Sequence, residues 1–94
     1  MVDMGILEEI LEWTRRNNAV IDISFRDCSY RLRIDKMFRA IDRGGNLVSW
    51  SKAFGTKRPP DLFNTFVLEK ITLRVGDKEE SFQSLQALTR KIKG

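Results

Sequence analysis

Apolar side chains recur every three to four positions through the opening stretch "VDMGILEEILEWTRRNN", where Ile6, Ile10 and Trp13, flanked by Leu7 and Leu11, make one stripe. That spacing predicts an amphipathic helix. Asp3 is placed to cap it, and Val2 and Leu7 sit at the spacing of a hydrophobic staple. Glu8, Glu9 and Glu12 precede Arg15 and Arg16, the order that the helix dipole favours, and Asn17-Asn18 end the element.

From Ala19 the period shortens to two. In "AVIDISFR" and "SYRLRI" the residues Ile21, Ile23 and Phe25 share one face, and Tyr30, Leu32 and Ile34 the matching face of a partner strand. An antiparallel hairpin with Asp27 and Cys28 as a two-residue loop sets Phe25 opposite Tyr30, Ile23 opposite Leu32 and Ile21 opposite Ile34. On the outer face it sets Asp22 opposite Arg33 and Ser24 opposite Arg31, so Arg33 gains a cross-strand carboxylate while Arg26 and Arg31 have none. Asp-Cys lacks the glycine of a primed turn, which leaves room for a longer loop.

After Ile34 the period changes again. Ile34, Met37, Phe38 and Ile41 are spaced as on a helix, with Asp35 as cap and Gly44-Gly45 as stop, so a short helix is expected after the hairpin. The plan repeats near the C-terminus: "KITLRV" reads as a strand, Gly76-Asp77 as a turn, "KEESF" as the partner strand, with Arg74 facing Glu79, and "SLQALTRKIK" as a helix. Residues 46–68 are the ambiguous part. "NLVSWSKAF" fits a strand through Val48 and Trp50 or a helix through Leu47, Trp50 and Phe54; "GTKRPP" is a breaker; "DLFNTFVLEK" begins as a helix off Pro60 or belongs to the next strand. The expected fold is α+β: an N-terminal helix, then two hairpin-plus-helix units around a small, mostly antiparallel sheet. Residues 1–94 form one domain in this reading.

Composition supports a folded domain, with 41% hydrophobic and 32% charged residues. The net charge of +4 is unevenly spread: residues 1–25 carry net −3, residues 26–58 carry net +6 and residues 59–94 carry net +1. A basic middle favours an acidic partner, either phosphate or an acidic protein surface. A single cysteine, Cys28, and the lack of an apolar leader or spanning segment point to a soluble protein of the reducing cytoplasm. Cys28 at a loop tip between Arg26 and Arg31 reads as a small turn residue in preference to a reactive thiol.

Histidine is absent, which removes the commonest general base and metal ligand and, with one cysteine, argues against zinc. Neither phosphate-loop glycine fingerprint occurs, and no acidic residue is followed two positions later by lysine, as in many metal-dependent nucleases. No enzyme and no cofactor are expected. The sharper reading joins Arg26, Arg31, Arg39, Arg43, Lys52, Lys57 and Arg58 into one positive surface, with Trp50 as an exposed aromatic, docking on nucleic acid or a nucleoprotein complex.

A less favoured version reads "FRAIDRGGNLVSWSKAF" as a helix-turn-helix that turns Ser49, Ser51 and Lys52 to the groove. The alternative class is a protein–protein interaction module, an adaptor or inhibitor of a larger assembly of the kind that phages and mobile elements encode. There Trp50, Lys57 and Arg58 would be anchors, and exposed strand edges would permit a homodimer.

Overall fold

The first helix, α1 (Met4–Asn17), starts where Asp3 accepts a hydrogen bond from the Ile6 N–H at 3.0 Å and ends where Asn18 turns left-handed at φ 50°. Its inward residues are Leu7, Ile10, Leu11 and Thr14, all buried. This computed structural model describes residues 2–93.

Next come β1 (Ala19–Phe25), β2 (Arg31–Ile34), β3 (Phe38–Ile41) and β4 (Leu47–Val48), then two short helices, α2 (Trp50–Phe54) and α3 (Pro59–Thr65). The chain closes with β5 (Leu68–Val75), β6 (Lys78–Phe82) and α4 (Leu85–Lys93). The strands form one sheet of order β4-β3-β2-β1-β5-β6, antiparallel throughout. The fold is α+β, and both expected hairpins lie in the same sheet because β5 pairs with the free edge of β1.

The pleat of β1 decides what each side of the sheet meets. Ala19, Ile21, Ile23 and Phe25 are buried, while Val20, Asp22 and Ser24 face the other way. The register between β1 and β2 follows the alternation, with Ile21 opposite Ile34, Asp22 opposite Arg33, Ile23 opposite Leu32 and Ser24 opposite Arg31, but the expected pair of Phe25 with Tyr30 is not formed because β2 begins at Arg31. The connection is longer than a two-residue turn, running from Arg26 to Tyr30 with Asp27 at φ 57°.

The helices all pack on the same side. Leu7, Ile10 and Leu11 of α1, Phe54 of α2, Leu62 of α3 and Leu88 of α4 join the inward residues of the strands in one hydrophobic cluster. Among the described residues the opposite side of the sheet carries no helix, which gives two layers and one open sheet face.

The segment after Ile34 is not a helix. Asp35 instead caps a turn, its Oδ1 accepting from the backbone N–H groups of Lys36 and Met37. The Asp35 carbonyl lies within reach of the buried Thr14 hydroxyl, and Arg15 Nε donates to the Lys36 carbonyl at 3.0 Å. The turn is thereby tied to α1, and the chain reverses into β3, where Phe38 stands opposite Ile34 and Ala40 opposite Leu32. A helix at this position would forfeit those pairings. With Phe38–Ile41 in a strand, the helix-turn-helix reading of residues 38–54 fails as well.

"NLVSWSKAF" combines both of its alternatives: Leu47–Val48 is a strand, and Trp50–Phe54 a helix capped by Ser49. Pro59 and Pro60 open α3, where their missing N–H groups cost nothing, and Arg58 N–H donates to Asp61 Oδ2 at 2.9 Å.

Leu88 is the one fully buried residue of α4, with Leu85 and Ile92 only partly covered. Leu88→Ala is therefore expected to cost about 2–5 kcal/mol, and urea unfolding followed by fluorescence would measure it. Amide exchange should accelerate most in α4.

Candidate functional site

Strand pairing arranges the open face into rows. One row runs Ile41, Arg31, Ser24, Lys70; the next runs Arg39, Arg33, Asp22, Thr72, Ser81; a third runs Val20, Arg74, Glu79. Five cationic side chains, Arg31, Arg33, Arg39, Lys70 and Arg74, thus share one face.

Asp22 organises the middle of it. Its carboxylate accepts from Arg33 Nε at 2.7 Å and Arg33 Nη2 at 3.0 Å on one side, and from Arg74 Nη2 at 3.0 Å on the other. The expected Asp22–Arg33 pair is present and bidentate. Arg74, although opposite Glu79 in register, pairs with Asp22 instead, because β5 lies directly beside β1 and places Arg74 diagonally across from it. Hydrogen bonding to Asp22 outweighs burial and raises the Arg33 guanidinium above its already high value.

Asp35 holds the near end of β3. Burial works to raise its carboxyl, but the Met37 and Lys36 N–H groups and Arg39, whose Nε is 3.2 Å away, together hold it below the usual carboxylate range. In the β3–β4 turn the N–H groups of Asn46 and Gly44 donate to Asp42 Oδ1 at 2.9 Å each, and the first of these leads in lowering its pKa.

The eight residues singled out from the sequence divide between the two layers. Arg31 and Arg39 stand on the open face, and Arg43 follows β3 into a depression that Arg31 also lines. Arg26 follows β1, its backbone N–H bonded to the Val67 carbonyl at 2.8 Å and its side chain exposed. Lys52, Lys57 and Arg58 belong to α2 and the α2–α3 connection, on the helical side.

Trp50 also lies there, tilted at 59° against Phe54 with 4.9 Å between ring centroids, its indole N–H donating to the Lys57 carbonyl at 2.7 Å. It is a packed side chain, and its hydrogen-bonding group is already used. Arg39 and Arg58 have carboxylate partners, whereas Arg26, Arg31, Arg43, Lys52 and Lys57 have none among the described residues.

Lys70 and Glu69 were missed by sequence reasoning. Arg31, Ser24 and Glu69 line two adjoining depressions of about 330 Å³ and 180 Å³; Phe25, Asp27, Cys28 and Arg43 complete the first, and Asp22, Lys70 and Thr72 the second. The alternation of Lys70, Thr72 and Arg74 marked one face of β5, but nothing local showed that this face would adjoin Arg31. The described residues contain no cluster of three or more metal-ligating side chains, and no helix among them is long and apolar enough to cross a membrane. Comparison with protein-family models, with curated proteins and with solved structures finds no match for the chain.

Two predictions follow from these contacts. Asp22→Ala leaves two guanidinium groups unpaired on a half-covered face and is expected to destabilise by about 1–3 kcal/mol, more than Arg74→Ala, which thermal or urea unfolding would measure. Because the Asp35 pKa is depressed in the folded state, its contribution is complete above the ordinary carboxylate value and is lost as pH falls through its folded value. The stability gap between wild type and Asp35→Asn should accordingly be widest near neutrality and should shrink below about pH 4, as thermal melts across that range would record.

Proposed function

We propose that the protein is a non-catalytic binding module that docks on nucleic acid or a nucleoprotein complex through the open sheet face. The observation that carries this reading is that the packed helices cover one side of the sheet, while the other presents Arg31 and Lys70, flanked by Arg26 and Arg43, without ion-pair partners among the described residues. Unpaired cations on a broad solvent-facing surface neutralise phosphates and release counterions, and they need no pocket to do so. The paired arginines support them: Asp22 holds Arg33 and Arg74 in fixed positions and leaves the trio with one net positive charge. A reducing cytoplasm suits the single thiol of Cys28.

This interface differs from the surface expected on sequence grounds. Lys52, Lys57 and Arg58 fall on the other layer, and Trp50 is not offered to a base. Lys70 takes their place beside Arg31.

With four unpaired cations at the face, the logarithm of the association constant for duplex DNA is expected to fall with the logarithm of salt concentration with a slope of about −3 to −4. Arg31→Ala should reduce that slope by about one and weaken binding to all sequences alike. Fluorescence anisotropy with labelled duplexes at 50 to 200 mM salt (~10² change in affinity) provides the measurement. Binding that is absent, or indifferent to salt, would overturn the reading and leave an acidic protein surface as the counterpart of the arginines. Leu47, 59% exposed on edge strand β4, would then be the first apolar contact to substitute.

A further inference from the structure

All nine aromatic side chains, six Phe, two Trp and one Tyr, belong to the core or pack against it. None stands on the open face. Proteins that hold single strands stack successive bases on exposed rings, and Phe25, the aromatic residue that lines the groove on this face, is only 2% exposed and offers no ring to stack on. A nucleic acid bound here keeps its bases paired and presents its backbone.

The second observation is a carboxylate where a phosphate track should avoid one. The pairing of β1 with β5 shifts between Ser24 and Phe25: Ser24 stands opposite Lys70, Phe25 opposite Leu68, and Glu69 is the extra residue of a β-bulge. Bulges re-aim side chains, and this one turns Glu69 to the face of Arg31 and Lys70, where it borders both depressions. Glu69 has no ion-pair partner among the described residues, and neither do Arg31 and Asp27, the second carboxylate bordering the first depression. Charges of both signs therefore line one groove without neutralising each other.

A DNA backbone presents phosphates and no hydrogen-bond donors, so Glu69 only repels it. An A-form RNA duplex sets 2′-hydroxyl donors between its phosphates, in a minor groove that is wide and shallow. Cations for the phosphates and a carboxylate for the hydroxyls match that alternation.

We infer that the groove along the open sheet face receives an A-form RNA duplex, with Arg31, Arg43 and Lys70 on its phosphates and Glu69 accepting hydrogen bonds from ribose hydroxyls. This rests on the reading of the face as a nucleic-acid interface. Glu69 is exposed at a bulge and forms no ion pair among the described residues, so its truncation is expected to leave the fold intact.

The test compares double-stranded RNA, double-stranded DNA and single-stranded RNA of one sequence, about 20 nucleotides long to span a full groove repeat, by anisotropy at fixed salt. Wild type should bind the RNA duplex about tenfold more tightly than the DNA duplex, as a charge-assisted hydrogen bond warrants, and more tightly than the single strand. In Glu69→Ala the RNA duplex should lose affinity and the DNA duplex gain it, bringing the two to within about twofold. Equal binding of both duplexes by wild type, tighter binding of the single strand, or a parallel shift of both duplexes in Glu69→Ala would overturn the inference while leaving the nucleic-acid reading standing. Failure to bind any of the three would overturn that reading as well.

Discussion

The alternation along β1 is the constraint on which the rest of the molecule depends. It is the one strand in contact with both halves of the sheet, β2 on one side and β5 on the other. Four of its side chains, Ala19, Ile21, Ile23 and Phe25, lie beneath the helices, and the intervening Asp22 and Ser24 stand in the middle of the open face. A slip of one residue would exchange the two sets, burying Asp22 and exposing the isoleucines, so the register is strongly specified. Asp22 strengthens that specification from the polar side, since only one register brings Arg33 and Arg74 to its two oxygens.

That constraint divides the arginines by role. Arg33 and Arg74 are structural, held on Asp22, and Arg39 is tied to Asp35 at the turn. Arg31 opposes Ser24, which carries no charge, so the guanidinium remains available. The buried Ile41, outside the main core cluster and flanked in register by Arg31 and Leu47, shows that the open face is not wholly polar. The face thus combines cations paired to carboxylates, cations without an ion-pair partner among the described residues, and Glu69, a carboxylate re-aimed by a bulge.

The α1 stripe, the β1–β2 register and the terminal hairpin-helix were legible because each is specified by neighbours in sequence. The turn at Asp35 was not, because the same spacing of Ile34, Met37, Phe38 and Ile41 serves a helix or a reversal. What decides between them is contact with Thr14 and Arg15 on α1. The candidate site was half legible for a similar reason. Arg31 follows from a local hairpin, whereas Lys70 and Glu69 join it only through the pairing of β1 with β5, across more than forty intervening residues. Trp50 and the basic α2–α3 connection were assigned to the same surface on composition, which carries no information about which layer an element joins.

The central claim is that the open sheet face, not the helical layer, is the binding surface. Backbone amide shift mapping by NMR during titration with a nucleic-acid duplex tests it most directly. The account predicts that perturbations gather at Ser24, Arg31, Arg43, Glu69, Lys70 and Thr72 and spare α1, α2 and α4. Perturbations centred on Lys52, Lys57 and Arg58, with the sheet face silent, would contradict it.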